Sequence, residues 1–296
     1  MASRERTRLT TLFRTARRAE ALGATLPPLL VAAQRVASTV AQGVHGRRKV
    51  GQGDSFWQYR PVTAGDPPGQ IDWRASAKGD RAYVRQTEWE AAQTVYLWRD
   101  ASPSMSWRSG AAVPFKQERA ELLLLALAAL LLRGGERVRL IGGPLRLRGG
   151  RGALEGIAEA LTEIPGADGM PPQSPLPRHA RVVLIGDFLS PLPSIRQAVA
   201  AMTAIPVQGH LQQVLDPAEA LLPFSGRVRF QGLEAERDQL VPRVEGIRDG
   251  YAKALEDQLH GLADLCTAAG WTFGTHRTDH APEPALLALY SSLARA

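Results

Sequence analysis

The residues best suited to chemistry in this chain are Asp100, Ser102 and Ser104, within the run Val95–Ser106, VYLWRDASPSMS. One carboxylate and two hydroxyls stand at i, i+2 and i+4. In an extended loop that spacing turns all three side chains to one side. No thiol or imidazole stands among them. The set is therefore one of hard oxygen donors, suited to Mg²⁺ or Mn²⁺ and poor for zinc, and it leaves coordination positions to water or to a ligand from elsewhere. Ser and Asp are also common turn and helix-cap residues, so the same string reads as a plain strand-end turn.

Such a set needs elements to deliver it. Thr94–Arg99 is an apolar run of strand length that stops at these polar residues, as buried strands do on leaving a sheet. A helical pattern, Phe115–Leu132, follows it. A second strand, Arg181–Ile185, ends in Gly186-Asp187-Phe188. In open α/β sheets ligands sit beyond the carboxyl ends of the strands, where both Asp100 and Asp187 belong.

The rest of the chain after residue 93 keeps the alternation. Strand Arg137–Ile141 pairs as a hairpin with Pro144–Leu147 and leads to helix Ala153–Ile164. Helix Pro193–Ala204 leads to strand Val207–Val214. A hairpin-like stretch, Gly226–Gly232, precedes helix Val241–Ala269, strand Trp271–Thr275 and helix Glu283–Ala294. Strands alternating with helices imply a mainly parallel sheet covered on both faces, an α/β fold of Rossmann-like kind.

Composition narrows the setting. The chain has 296 residues and 44% hydrophobic content, ordinary for a globular protein with a sizeable core. Cys266 is the single cysteine, which excludes an internal disulfide and fits a reducing compartment. It lies on an apolar helical face and reads as a buried structural thiol. No apolar run reaches the roughly 18–20 residues that span a bilayer, and no signal-peptide pattern opens the chain. The expected location is cytoplasmic. The net charge of +7 is concentrated in residues 1–49, which hold ten Lys or Arg and two Glu. Residues 8–22 place Leu9, Leu12, Phe13, Ala16, Ala19 and Leu22 near helical spacing with arginines between, and a second helix runs from Pro28 to about Gln42. This arm could meet nucleic acid, an anionic membrane surface or an acidic protein face. Packing on the domain is the commoner fate of such a helix.

Three regions follow: a basic helical arm (1–42), a charged and aromatic segment (43–92) and an α/β domain (93–296). In the second, Gly43–Gly53 reads as a loop, Gln70–Ala77 as a short helical piece and Ala82–Glu88 as a strand. Arg60, Asp66, Asp72, Arg74 and Arg85 stand among Trp57, Tyr59, Trp73 and Tyr83. Opposite charges among aromatics suggest an ion-pair network that braces the segment, or else a recognition surface.

Enzyme motifs are missing. No phosphate loop, dinucleotide fingerprint or nucleophile elbow occurs. His276 and His280 stand at i and i+4, but in a loop-like context beside Pro282. Asp216-Pro217-Ala218-Glu219 reads as a helix start, with Asp216 as N-cap, Pro217 at N1 and Glu219 at N3. Glu219 could also face the crevice.

Taken in order, Arg60-x5-Gly65-Asp66, Ile71-Asp72-Trp73-Arg74-x-Ser76-Ala77, Asp100-x-Ser102-x-Ser104-Met105, Gly186-Asp187-Phe188 and Asp216-Pro-x-Glu219 resemble the family called domain of unknown function 58. The resemblance covers about residues 43–290. It implies a core similar to the von Willebrand factor A domain, with a metal-ion-dependent adhesion site. Members are typically bacterial or archaeal. They are commonly encoded beside a MoxR-type AAA+ ATPase, thought to act as adaptors in assembly or activation of protein complexes, and not known as enzymes. Asp100, Ser102 and Ser104 match the first metal motif, and Asp187 matches the later aspartate. One departure stands out. Full adhesion sites take a threonine from the loop after the second strand, and here that loop, Leu145–Gly152, has none; Thr162 lies inside a helix.

The expected function is thus a non-enzymatic interaction module in which Mg²⁺ or Mn²⁺ bridges to an acidic partner residue. The metal would bind weakly, or only with the partner in place. Two rival readings are a nucleic-acid or anionic-surface binder acting through the basic arm, and a metal-dependent hydrolase using Asp100 and Asp187.

Overall fold

Strand pairing among the described residues falls into three separate sheets. The structure, a computed structural model, describes residues 49–63, 66, 69, 71–77, 81–89, 93–143, 152–164, 169–234 and 237–295. The two expected N-terminal helices, Gly65, and the Pro144–Leu147 strand with the threonine-less loop lie outside the described residues, as do the side chains of Trp57 and Arg85. Two compact units meet in sequence between residue 92 and Gln93.

In the first unit β1 (Lys49–Pro61) pairs antiparallel with β2 (Tyr83–Trp89), with a one-turn helix α1 (Trp73–Ser76) between them. The loop expected over Gly43–Gly53 is therefore strand from Lys49 onward. Register shifts between Val50 and Ser55 and between Phe56 and Gln58 mark irregularities in the ladder.

The second unit carries the α/β alternation. Its elements are β3 (Thr94–Arg99), α2 (Lys116–Arg133), β4 (Arg137–Leu140), α3 (Ala153–Glu163), β5 (Arg181–Gly186), α4 (Leu192–Thr203), β6 (Gln208–Leu215), α5 (Pro217–Leu221), β7 (Val228–Phe230), β8 (Gln239–Val241), α6 (Arg248–Ala268), β9 (Thr272–Arg277) and α7 (Pro282–Arg295). Five strands form one sheet in the order β4-β3-β5-β6-β9, and every neighbouring pair is parallel. The chain goes from β3 outward to β4, then returns to the other side of β3 with β5. The switch point of the sheet lies between β3 and β5, the place where open α/β sheets bind ligands beyond the strand ends.

The central strands β3, β5 and β6 are largely buried on both faces, as a covered parallel sheet requires, while the edge strands β4 and β9 are partly exposed. Val95, Leu97, Val183 and Ile185 turn to one face and pack with leucines of α2, with Leu154, Ile157 and Leu161 of α3, and with Leu286, Leu289 and Leu293 of α7. Trp98, Val182, Leu184 and Leu211 turn to the other, against Ile195, Val199 and Met202 of α4 and Leu262, Leu265 and Cys266 of α6. Fourteen of the eighteen α2 residues are buried, so this helix is apolar nearly all round because it lies in the middle of its layer. Leu124, fully buried there, illustrates the energetics: Leu124→Ala would cost about 2–5 kcal/mol.

Two boundaries differ from the sequence reading. The hairpin near Gly226–Gly232 is β7 paired with the more distant β8, Val228 opposite Val241. The helix expected from Val241 starts only at Arg248. Val241 is instead the buried end of β8, packed with Leu222 and Val244, and Pro242 directly after it cannot donate to a ladder. Among the described residues no helix is long and apolar enough to cross a membrane.

Candidate functional site

The ladder between β3 and β5 carries one bond past the last β3 residue: the Asp100 amide donates to the Ile185 carbonyl at 2.8 Å. This holds Asp100 beside Gly186. A methyl group at Gly186 would lie 2.9 Å from Asp100 Cβ, so only glycine allows the approach. Asp187 follows, and Phe188 takes a left-handed backbone, φ 48°. That conformation is unfavourable for a bulky residue. Burial of the Phe188 ring against Trp98, with centroids 6.2 Å apart, offsets it and fixes the direction in which Asp187 leaves the sheet.

Asp100, Ser102 and Ser104 converge, but not by the extended alternation expected from their spacing. Asp100 Oδ1 accepts the Ser102 amide at 2.7 Å. Ser102 then stands at the N-terminal boundary of a 3₁₀ turn over Pro103–Ser106, started by Pro103. An Asx-type turn and a proline at the first helical position fold the segment back on itself. The two hydroxyls thereby lie 3.0 Å apart. Ser104 Oγ donates to Asp187 Oδ2 at 2.7 Å, which joins the β3 and β5 loops.

Two further groups complete the surroundings. Lys116, the first residue of α2, is fully buried and donates to Asp187 Oδ2 at 2.8 Å and to Glu219 Oε1 at 2.5 Å. Burial opposes its charge, but the two carboxylates outweigh that and hold its pKa above the ordinary lysine value. Glu234, between β7 and β8, accepts the Ser104 amide at 3.2 Å.

Asp216 and Glu219 form the expected capping box. Asp216 Oδ1 accepts the Ala218 amide at 2.8 Å, and Glu219 Oε2 accepts the Asp216 amide at 2.9 Å. Asp216 Oδ2 also accepts the Ser109 amide at 2.9 Å, so this buried carboxylate ties α5 to the segment after the 3₁₀ turn. Glu219 faces the crevice as well, through Lys116.

Asp100 Oδ2 is the exception to this full pairing. It is buried and has no hydrogen-bond partner. Burial, then the charge of Asp187, pushes the Asp100 carboxyl up to about 6. A methyl group on Gly169 would lie 3.7 Å from Asp100 Oδ2, 3.7 Å from Ser190 Oγ and 3.8 Å from Ser102 Oγ. Three oxygens thus border one small space beside the Gly169 backbone. An orphaned, buried carboxylate oxygen among hydroxyls fits a hard divalent cation. Among the described residues no three His, Cys, Asp or Glu side chains are grouped to hold a metal, so such an ion would rest mainly on Asp100 and hydroxyls. Asp187 is already engaged by Ser104 and Lys116.

The remaining candidates lie elsewhere. Arg60 forms a two-point ion pair with Asp66, at 2.7 and 2.5 Å. Asp72 caps α1 by accepting the Ala75 amide at 2.9 Å and also accepts the Tyr59 hydroxyl at 3.3 Å. Arg74 is exposed and forms no ion pair among the described residues. Thr162 Oγ1 donates to Glu159 within its own helix at 2.6 Å. Cys266 is buried, with its thiol pushed up to about 12 by burial.

Sequence reading missed Lys116, Ser190 and Glu234. For Lys116 a signal existed: a lysine at the first position of an apolar helix opposes the helix dipole and is stable there only beside anions. Ser190 and Glu234 carry no such mark.

Comparison with known families supplies the remaining observation. The family described as "Protein of unknown function DUF58" matches residues 58–261. The chain belongs to the DUF58 family. The DUF58 match spans the Arg60–Asp66 pair, α1, both aspartate loops and the capping box, and ends within α6. Comparison with curated proteins and with solved structures gives no match.

Proposed function

We propose that this protein is a non-catalytic interaction module of von Willebrand factor A-like kind. Its sheet edge engages an acidic residue of a partner through a bound Mg²⁺ or Mn²⁺. The observation that carries this reading is the buried, unpartnered Asp100 Oδ2 bordered by hydroxyls at the switch point of the sheet. Asp100, Ser102 and Ser104 would hold the ion, with Asp187 reached through Ser104. A cation held by so little protein charge offers an open position that favours an incoming carboxylate. The Lys116 ammonium is kept charged between two carboxylates, so it is no base for the Ser104 hydroxyl, which already donates to Asp187. The partner we propose, from the family resemblance, is a MoxR-type AAA+ ATPase, with the chain as adaptor.

The test is binding of the full chain to the MoxR-type ATPase of the same organism, with Mg²⁺ or with chelator. The expected result is binding that needs the metal and is lost in Asp100→Ala. Binding indifferent to both would sink the reading.

A further inference from the structure

The chain lacks the threonine expected after the second strand of the sheet, yet the space beside Asp100 Oδ2 has a hydroxyl from another direction. Ser190 stands three residues after Asp187, on the same loop. Its Oγ borders the space beside Gly169 that Asp100 Oδ2 and Ser102 Oγ also border. Asp100 is the member of that trio that points to a ligand, because its Oδ2 is buried and without a partner.

The loop is built to hold Ser190 in place. Gln258 of α6 donates to the carbonyls of both Phe188, at 2.8 Å, and Ser190, at 3.0 Å. The Leu189 amide donates to Asp187 Oδ1 at 3.3 Å. Pro191 follows, and a residue before proline is confined to extended backbone. Gly169, with φ +70°, passes over the space without a side chain to fill it.

We infer that Ser190 supplies the hydroxyl that the Leu145–Gly152 loop lacks, so that the cation is held by Asp100, Ser102, Ser104 and Ser190. The inference rests on the cation reading of the site. Asp187 then serves from behind Ser104 and is neutralised by Lys116. A neutral hydroxyl adds a hard donor without adding charge, which keeps the ion receptive to an outside carboxylate.

The experiment is a titration of the full chain with Mn²⁺, followed by the spectroscopic signal of free Mn²⁺. The variants are Ser190→Thr and Ser190→Val, equal in shape and different only in the hydroxyl, with Asp100→Ala beside them. Metal-free melting curves check that each folds. The expected result is near-native affinity for Ser190→Thr and a loss of about tenfold for Ser190→Val, the scale on which single supporting groups act at metal sites. Equal affinity in the two Ser190 variants, with binding lost in Asp100→Ala, overturns the role of Ser190 and leaves the cation reading standing. No binding by the unaltered chain at millimolar Mn²⁺ overturns both.

Discussion

Lys116 Nζ lies 2.8 Å from Asp187 Oδ2, with no solvent exposure of the lysine side chain. An internal cation thus occupies one side of the aspartate pair at the switch point, and Glu219 completes its neutralisation at 2.5 Å. This relation joins the start of α2, the loop after β5 and α5. Removing one partner of such a buried group leaves the others as uncompensated charges, at a cost of about 3–5 kcal/mol.

Lys116→Met is therefore expected to lower stability by that amount in chemical denaturation. Added Mg²⁺ should recover part of the loss, because it can neutralise Asp187 in the lysine's place. A variant as stable as the native chain would show that the ion pair contributes nothing net.

Asp100→Asn should act in two directions. Ionised Asp100 is disfavoured by burial, so the neutral amide should raise the metal-free stability at neutral pH by about 3 kcal/mol. The same variant should abolish the stabilisation that divalent cations give the native chain by mass action. Thermal melts with Mg²⁺, Mn²⁺ and chelator read both effects. A native melt indifferent to cations would contradict the second.

Two buried histidines set an acid limit. Burial lowers His210 from 6.5 to about 4. Burial, followed by the charges of Arg119 and His280, lowers His276 from 6.5 to about 4. Both are neutral in the folded protein, and the unfolded chain takes up protons first. Their contribution is complete above pH 6.5 and is lost as pH falls from there through about 4, on the order of 3 kcal/mol for each. The slope of unfolding free energy against pH in that window should shrink in His210→Gln, whose amide can still meet Thr272, which His210 Nδ1 contacts at 2.7 Å. An unchanged slope would assign acid lability to other groups.

Asp72→Ala should cost at least about 1 kcal/mol, the usual value of a helix N-cap. The measurement is the melting of the native chain and the variant side by side. An unchanged melt would show that the cap contributes nothing net.

Local rules made part of the molecule legible. The α/β alternation followed from apolar runs of strand length between helical patterns, and β3, β5 and α2 came within a residue or so of their observed ends. The Asp216 capping box was readable because its whole logic spans four residues. The candidate donors Asp100, Ser102 and Ser104 were likewise visible as one short string. Spacing alone points to convergence through an extended loop, whereas it is the 3₁₀ turn started by Pro103 that brings the two hydroxyls together.

What only the tertiary structure decided is which distant groups share a space with that string. Lys116, Glu219 and Glu234 come from different elements, and each is brought to the sheet edge by packing that no periodicity encodes. The placement of β5 beside β3, with β4 on the other side, sets Asp187 against Ser104 and Ser190 near Asp100. Side-chain period and capping are properties of a few consecutive residues, so a sequence states them directly. Strand order and the pairing of buried charges are set by how two helix layers cover one sheet.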